Sequence, residues 1–451
     1  MNTHIQLRNL GLFDARVPRY TSYPTAPHFN TNVGTPDVTS WLSALDPAQP
    51  ASLYVHVPFC RRLCWFCACR TQGTSTAGPV AAYVETLKAE LKLVKEHLPE
   101  GLTLGHLHWG GGTPTLLEPD MITDLAGAIA DVAPFASNYE FSVEIDPNEI
   151  DDARLDALAA AGMNRASIGV QDFDPVIQET IGRIQSYEIT KAAVDGLRAR
   201  GIRSLNADIL YGLPGQSREK IAQSVHKLLS LSPDRVALFG YAHVPWIARR
   251  QTMIPTDQLP TPEERLELFN TARDLFVWDN YTEIGIDHFA RKGDGLEVAL
   301  RTGKLRRNFQ GYTDDKCSAM IGVGASSIAK YPQGYAQNAP ATSKYQEAVR
   351  AGRLPITKGH AFTPEDHLRG RIIEALMSEF RVERSDLVAR FDLGQAAFDD
   401  FGKSVSDAFP AMLSVSSDEI AILDHAKPLT RMIARHFDAY DMAQAQHSSA
   451  V

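Results

Sequence analysis

From residue 53 onward the chain alternates short apolar runs with longer amphipathic stretches. Residues 53–57 read as a buried strand, and residues 80–97 carry apolar side chains at helical spacing. Strand-like runs recur at 105–109, 140–145, 166–170, 204–210, 235–239 and 282–286. Helical stretches lie between them at 119–133, 151–161, 187–200, 218–230 and 262–280. This alternation predicts βαβ units around a parallel sheet. Cys60, Gly110 to Gly112, Glu144, Gln171, Asp208 and His243 all fall at or just past the C-terminal ends of successive strands. In a parallel α/β architecture those ends converge on one face, where chemistry is usually found. Strand ends meeting at one site favour a barrel or partial barrel over a flat sheet, whose edges lie too far apart.

The two ends of the chain follow other rules. The first forty residues have no sustained period, and Pro18-Arg-Tyr-Thr-Ser-Tyr-Pro-Thr25 suggests an extended segment lying on something else. After about residue 330 turn-rich sequence replaces the βα rhythm. From Thr363 the pattern is helical over 364–380, 384–391, 395–408 and 428–445, with a short hairpin at 414–423. The expected division is an N-terminal segment (1–44) covering the active site and a partial (β/α)6 barrel (45–285). A substrate-side extension and linker (286–362) then leads to a mainly helical, winged-helix-like C-terminal domain (363–451).

Composition narrows the function classes. Hydrophobic content of 44% and charged content of 22% exclude a disordered chain. A net charge of −9 argues against nucleic acid, whose binders need a basic excess. No apolar stretch approaches the ~20 residues of a membrane span. The start lacks the apolar core of a signal peptide, so a cytoplasmic location is expected.

Four of the five cysteines, Cys60, Cys64, Cys67 and Cys69, fall within ten residues, and Cys317 stands apart. Disulfides between such close neighbours would be strained, so the cluster reads as metal-binding. A structural zinc site is the plainer alternative, but zinc usually takes paired CxxC units well separated in sequence. The CxxxCxxC spacing of Cys60, Cys64 and Cys67, with Phe66 before the third thiol, instead suits three irons of a [4Fe–4S] cube. The fourth iron stays open to S-adenosylmethionine (SAM), which it can reduce to methionine and a 5′-deoxyadenosyl radical. Cys69 would close that position and is therefore expected not to be a ligand. The Trp109-Gly-Gly-Gly-Thr-Pro114 run lets backbone approach a ligand closely.

Together these segments resemble the radical SAM oxygen-independent coproporphyrinogen III dehydrogenases, also called anaerobic coproporphyrinogen III oxidases. The matching stretches include Tyr54-Val-His-Val-Pro-Phe-Cys-Arg-Arg-Leu-Cys-Trp-Phe-Cys-Ala-Cys69, Pro18 to Thr25, His108 to Thr115 and Gly169-Val-Gln-Asp-Phe173. Asp208 to Pro214, Tyr241-Ala-His243, Asp287-His-Phe-Ala290 and Arg307-Asn-Phe-Gln-Gly-Tyr-Thr313 extend the match. The resemblance implies a cluster on Cys60, Cys64 and Cys67 and two SAM molecules side by side. Their implied contacts are Tyr54, Phe66, Gly111, Gly112, Thr113 and Glu144, then Gln171, Arg183, Asp208 and Ala242. Ser326 joins them where an aliphatic residue is expected.

The implied reaction is oxidative decarboxylation of two propionates of coproporphyrinogen III to vinyl groups, giving protoporphyrinogen IX. An electron donor and a final acceptor are required, no side chain is expected to act beyond the cofactors, and a monomer is expected. Haem-trafficking relatives share the barrel. They lack the fourth cysteine and the Arg-Tyr-Thr-Ser-Tyr-Pro stretch, both present here. A tetracarboxylate entering an acidic protein needs local cations, and Arg19, Arg291, Arg306 and Arg307 lie in or beside the matched motifs. Tyr20 and Tyr23 are expected to pack over the tetrapyrrole.

Overall fold

The computed structural model describes residues 3–440 and 449–450. Six strands lie side by side in chain order, all parallel. They are β1 (Ala51–Val57), β2 (Leu104–Gly111), β3 (Phe135–Ile145), β4 (Arg165–Gln171), β5 (Ser204–Tyr211) and β6 (Arg235–Gly240). The crossovers carry α1 (Gly78–Lys95), α2 (Pro119–Val132), α3 (Asp152–Ala160), α4 (Tyr187–Ala199) and α5 (Arg218–Ser230), and α6 (Pro262–Trp278) follows β6. Val80, Tyr83, Val84, Leu87, Leu91 and Val94 recur at helical spacing along α1 and are buried. Ser186, Ser217 and Thr261 cap α4, α5 and α6 through their hydroxyls, fixing where each helix begins. The outward strand faces, with Val55, Trp109 and Phe141 fully buried, join the helices in one core.

The sheet departs from the expected pattern at both ends. Tyr281–Ile284 does not continue the parallel series. It forms an antiparallel hairpin with His288–Arg291, which in turn pairs antiparallel with β6. Residues 285–287 connect the two strands, with Gly285 at φ +54°, whereas a parallel crossover needs a dozen or more residues. At the other end, residues expected as linker extend the sheet. Met320–Val323 pairs parallel with β1, and Ile328–Tyr331, Gly334–Asn338 and Ile356–Ala361 continue antiparallel, giving twelve strands. These strands are only four to six residues long and flanked by turns, too short for a period to register. The sheet stays open and forms a partial barrel.

The N-terminal segment contains helices at Thr3–Asn9 and Thr35–Ser43 where no period was expected. Leu7, Leu12, Phe13 and Val17 pack with Ile372, Leu376, Phe398 and Ile433 in a second core. The chain's beginning is thus part of the C-terminal unit's packing. That unit has helices Pro364–Glu379, Arg384–Phe391, Gln395–Ala408 and Thr430–His436. Its three-stranded antiparallel sheet joins the expected hairpin, Leu413–Val415 and Glu419–Ile422, to Arg381–Glu383. Residues 441–445 of the expected last helix lie outside the described residues. Among the described residues no helix is long and apolar enough to cross a membrane.

Candidate active site

The thiol loop leaves the C-terminal end of β1. Phe59–Cys60 pairs with Gln72–Gly73 and closes the loop on itself, while the Trp65 N–H donates to the Ile181 carbonyl at 2.9 Å. Cys60, Cys64 and Cys67 are half-buried free thiols, and Cys69 is exposed toward the barrel cavity. Burial pushes Cys60 up to about 11 and raises Cys64 as well. A hydrogen bond from Cys69 brings Cys67 down to about 6, and the Cys69 N–H lies 3.4 Å from the Cys67 sulfur. Three soft donors on one short loop match the ligand chemistry of an iron–sulfur cube.

Arg183 stands beside this loop. Its Nη1 is 3.6 Å from Cys64 Sγ and 3.2 Å from Asp146, and its Nη2 donates to the Gly169 carbonyl at 3.0 Å. Its Nε is buried with no hydrogen-bond partner, a donor that an anionic ligand group would satisfy. Gln171 ends β4 at φ +69°, a left-handed conformation that a glutamine adopts at some cost. Phe66 packs against a small apolar cluster, and its carbonyl accepts from Gln251, which also donates to the Ala242 carbonyl.

The glycine run has a structural cause of its own. A Cβ at Gly112 would lie 2.5 Å from the Phe59 carbonyl oxygen, and one at Gly111 would lie 2.6 Å from the His56 ring. The Gly111 N–H donates to Glu144 at 3.1 Å, so this amide is already occupied. Thr113 is buried, and its hydroxyl bonds the Cys60 thiol.

Tyr54, Gly111, Glu144, Asp208 and Ser326 line a cavity of about 670 Å³ inside the barrel. The inner strand faces are polar at alternate positions: Tyr54 and His56, His106 and His108, Ser142 and Glu144, Asn206 and Asp208. Tyr54 Oη and His56 Nδ1 are 2.9 Å apart, and Tyr54 stacks on His108. Burial alone would raise Glu144, but His108 and the Gly111 N–H together hold its carboxyl below the usual range. Asp208 differs, because burial pushes it up to about 7 even though Asn206 donates to it at 2.7 Å. Ser326 has φ +65°, and the aliphatic Ile328, two positions on, lines the same cavity. His56, His108, Phe309, Gln310 and Ile328 are wall residues not singled out from sequence.

A second cavity, about 680 Å³, opens at the C-terminal ends of β5 and β6, beside Tyr211, Gly240 and Ala242. Arg19, Arg265, Arg307 and Arg431 converge on it. Arg19 donates to the Gly240 carbonyl at 2.7 Å, and Arg265 lies over the Tyr211 ring. Arg307 is 8% exposed, stacks on Tyr312 and has Asp287 at 3.7 Å, while its Nε and Nη1 have no hydrogen-bond partner. Arg431 donates to the Pro18 and Ser449 carbonyls. Burial, then repulsion from Arg19, brings its guanidinium down to about 9. Asp287 opposes burial through Arg307 and is held at about 2. Arg16, Arg273 and Lys427 line the same cavity, whose described carboxylates are Glu283, Asp287 and Asp424, so cations outnumber carboxylates on its described walls. Arg265 and Arg431 belong to helices whose pattern looked purely structural, and nothing in the sequence singled them out.

The remaining expected substrate residues lie elsewhere. Arg291 donates to the Tyr281 hydroxyl at 3.0 Å and lines no cavity described here, because its antiparallel strand carries it to the N-terminal end of β6. Arg306 donates to the Leu305 carbonyl and faces another cavity, beyond Arg307. Tyr20 donates to Asp438 at 2.9 Å, and the Tyr23 hydroxyl accepts from the Ala439 N–H at 3.0 Å. Both rings are buried in the second core, so they hold the N-terminal segment to the C-terminal unit.

The Radical SAM superfamily model matches residues 54–228. The chain is 58% identical to the oxygen-independent coproporphyrinogen III oxidase of Paracoccus denitrificans over 100% of both chains. It is 54% identical to the anaerobic coproporphyrinogen III oxidase 1 of Cereibacter sphaeroides, over 98% of each. Among solved structures, the radical SAM coproporphyrinogen III oxidase HemN of Escherichia coli superposes with a TM-score of 0.89. That match has 34% identity and covers 95% of this chain and 100% of the other.

Proposed function

The chain belongs to the oxygen-independent coproporphyrinogen III oxidases, radical SAM enzymes with a [4Fe–4S] cluster and SAM as cofactors, and on that footing we propose how its residues divide the work. The reaction is oxidative decarboxylation of coproporphyrinogen III. When bound, the cluster and SAM supply the 5′-deoxyadenosyl radical that takes a hydrogen from a propionate β-carbon. Cys60, Cys64 and Cys67 hold the cluster, and Cys69 stays outside it. Arg183 offers its unpartnered Nε to the SAM carboxylate, with Gln171, Phe66, Gly112 and Thr113 shaping the same pocket. Glu144 and Asp208 take ribose hydroxyls and the ammonium group, and Tyr54, Gly111 and the 326–328 turn wall in a second SAM. Ala242 lies between the SAM pocket and the arginine-lined cavity.

The surplus of guanidinium charge in that cavity carries the reading. Guanidinium groups gathered at one cavity repel one another, as Arg19 and Arg307 do Arg431, and a substrate with four carboxylates offsets that repulsion. Arg19, Arg265, Arg307 and Arg431 therefore hold the propionates next to the radical source. Tyr312, a wall of the barrel cavity whose ring lies against Arg307, limits stray hydrogen donors between the two cavities. Replacing Arg307 or Arg265 with Leu should raise KM for coproporphyrinogen III at least tenfold, about 1.4 kcal/mol, while uncoupled SAM cleavage persists. Unchanged KM in both variants would place the carboxylates elsewhere.

A further inference from the structure

Arg307 borders a third cavity on its other side, about 600 Å³, between residues 20–23, the 306–313 hairpin and the helix Pro364–Glu379. This space is not at the thiol-loop end of the barrel. Its walls include Cys317 and Met320, and Met320 pairs with Ser52 near the N-terminal end of β1. Lys304, Arg306, Lys316 and Lys330 face it, and among the described residues none of them has a carboxylate within ion-pair distance. The carboxylates on the same walls are already engaged. Asp315 bonds Ser52 and lies 3.5 Å from His106, and Glu374 accepts from the Arg307 N–H at 3.2 Å and from Arg371 at 3.3 Å. Asp366 accepts from the Tyr440 hydroxyl at 2.7 Å and pairs with His360 at 2.9 Å. The apolar part of the wall is aromatic: Phe309 and Phe362 both meet the Tyr335 ring edge-on.

We propose that this cavity is a second binding site for a tetrapyrrole polycarboxylate, distinct from the productive arginine cavity. The proposal rests on the reading of the arginine cavity as the productive one. Four unpaired cations spread around an aromatic wall suit a large apolar body with carboxylates at its rim. A compact anion such as phosphate would instead require cations converging on one point. The volume is close to that of the arginine cavity, and Arg307, buried with its Nε and Nη1 lacking hydrogen-bond partners, lines both.

The test is a titration of the reconstituted full chain with coproporphyrin III, the air-stable oxidised form of the substrate, using equilibrium dialysis to count bound equivalents. Two equivalents are expected for the wild type. Lys330→Met should retain one equivalent, with turnover at low coproporphyrinogen III within about twofold of wild type. The exposed pair Lys304→Ala/Lys316→Ala should weaken that same equivalent, and keeps the test decisive if Lys330→Met does not fold. Arg265→Leu should lose the other equivalent together with turnover. One equivalent in the wild type, or two undiminished equivalents in both lysine variants, overturns the second site and leaves the arginine-cavity reading intact. Loss of turnover with Lys330→Met at native iron content overturns both, because the third cavity would then be the productive one.

Discussion

The Arg183 guanidinium lies 3.6 Å from the Cys64 sulfur, and the nitrogen that makes this contact also pairs with Asp146 at 3.2 Å. One side chain therefore joins the thiol loop to the ends of β3 and β4. Arg183→Met should keep the iron, because three thiolates remain, yet weaken SAM binding by tenfold or more, at least ~1.4 kcal/mol. Iron analysis beside SAM equilibrium dialysis separates the two effects. Parallel loss of iron and SAM would make Arg183 a support of the loop rather than a ligand of SAM.

The thiols divide into two kinds. Cys60→Ser, Cys64→Ser and Cys67→Ser should each lose most bound iron and all SAM cleavage. Cys69→Ser should retain its iron if, as proposed, Cys69, which lines the barrel cavity, stays outside the ligand set. Iron loss in Cys69→Ser equal to that in Cys60→Ser would contradict this division.

Gly112 has backbone on the side where a Cβ would point, 2.5 Å from the Phe59 carbonyl. Gly112→Ala must move either the β2 end or the strand that begins the thiol loop, at a cost of roughly 1–3 kcal/mol. A lower melting temperature with reduced iron retention is expected, and a variant with native stability and iron would show that the loop has slack.

Much of this architecture is legible in the chain because the parallel strands and crossover helices are long enough to show their periods. Cys60, Glu144 and Asp208 stood out because strand ends converge in parallel sheets. The polar alternation His106 and His108, or Asn206 and Asp208, was a further available signal, since it marks an inner barrel face that is not a packed apolar core. Arg291 lies away from the described cavities for the same reason that residues 282–286 leave the parallel series. A hairpin reverses the chain, so a residue beside a matched motif is carried to the opposite end of the sheet. Arg265 and Arg431 were invisible because their role depends on α6 and the last described helix meeting across a cavity, a tertiary fact with no local pattern. Tyr20 and Tyr23 were legible as packing residues but not as to their partners, which lie at Asp438 and Ala439, over four hundred residues away.

With Asp208 as a SAM ligand, as proposed, SAM binding acquires a pH dependence. Burial pushes its carboxyl up to about 7, so near neutrality it is only partly ionised. SAM carries a sulfonium and binds better to the carboxylate, so affinity should rise as pH increases through 7, and binding below that pH should release a proton. Asp208→Asn should flatten the dependence between about pH 6 and pH 8. Calorimetric titration in two buffers of different ionisation enthalpy measures the released proton, and equal proton release by wild type and variant would remove Asp208 from the SAM site.

The central claim is that the arginine cavity delivers propionates to the radical generated beside the thiol loop. Coproporphyrinogen III deuterated at the propionate β-carbons tests it directly, through the isotope content of the 5′-deoxyadenosine formed under anaerobic turnover. Wild type should transfer deuterium into 5′-deoxyadenosine, whereas Arg265→Leu and Arg431→Leu should still cleave SAM but give unlabelled 5′-deoxyadenosine. Deuterium transfer at the wild-type fraction in both variants would contradict the account.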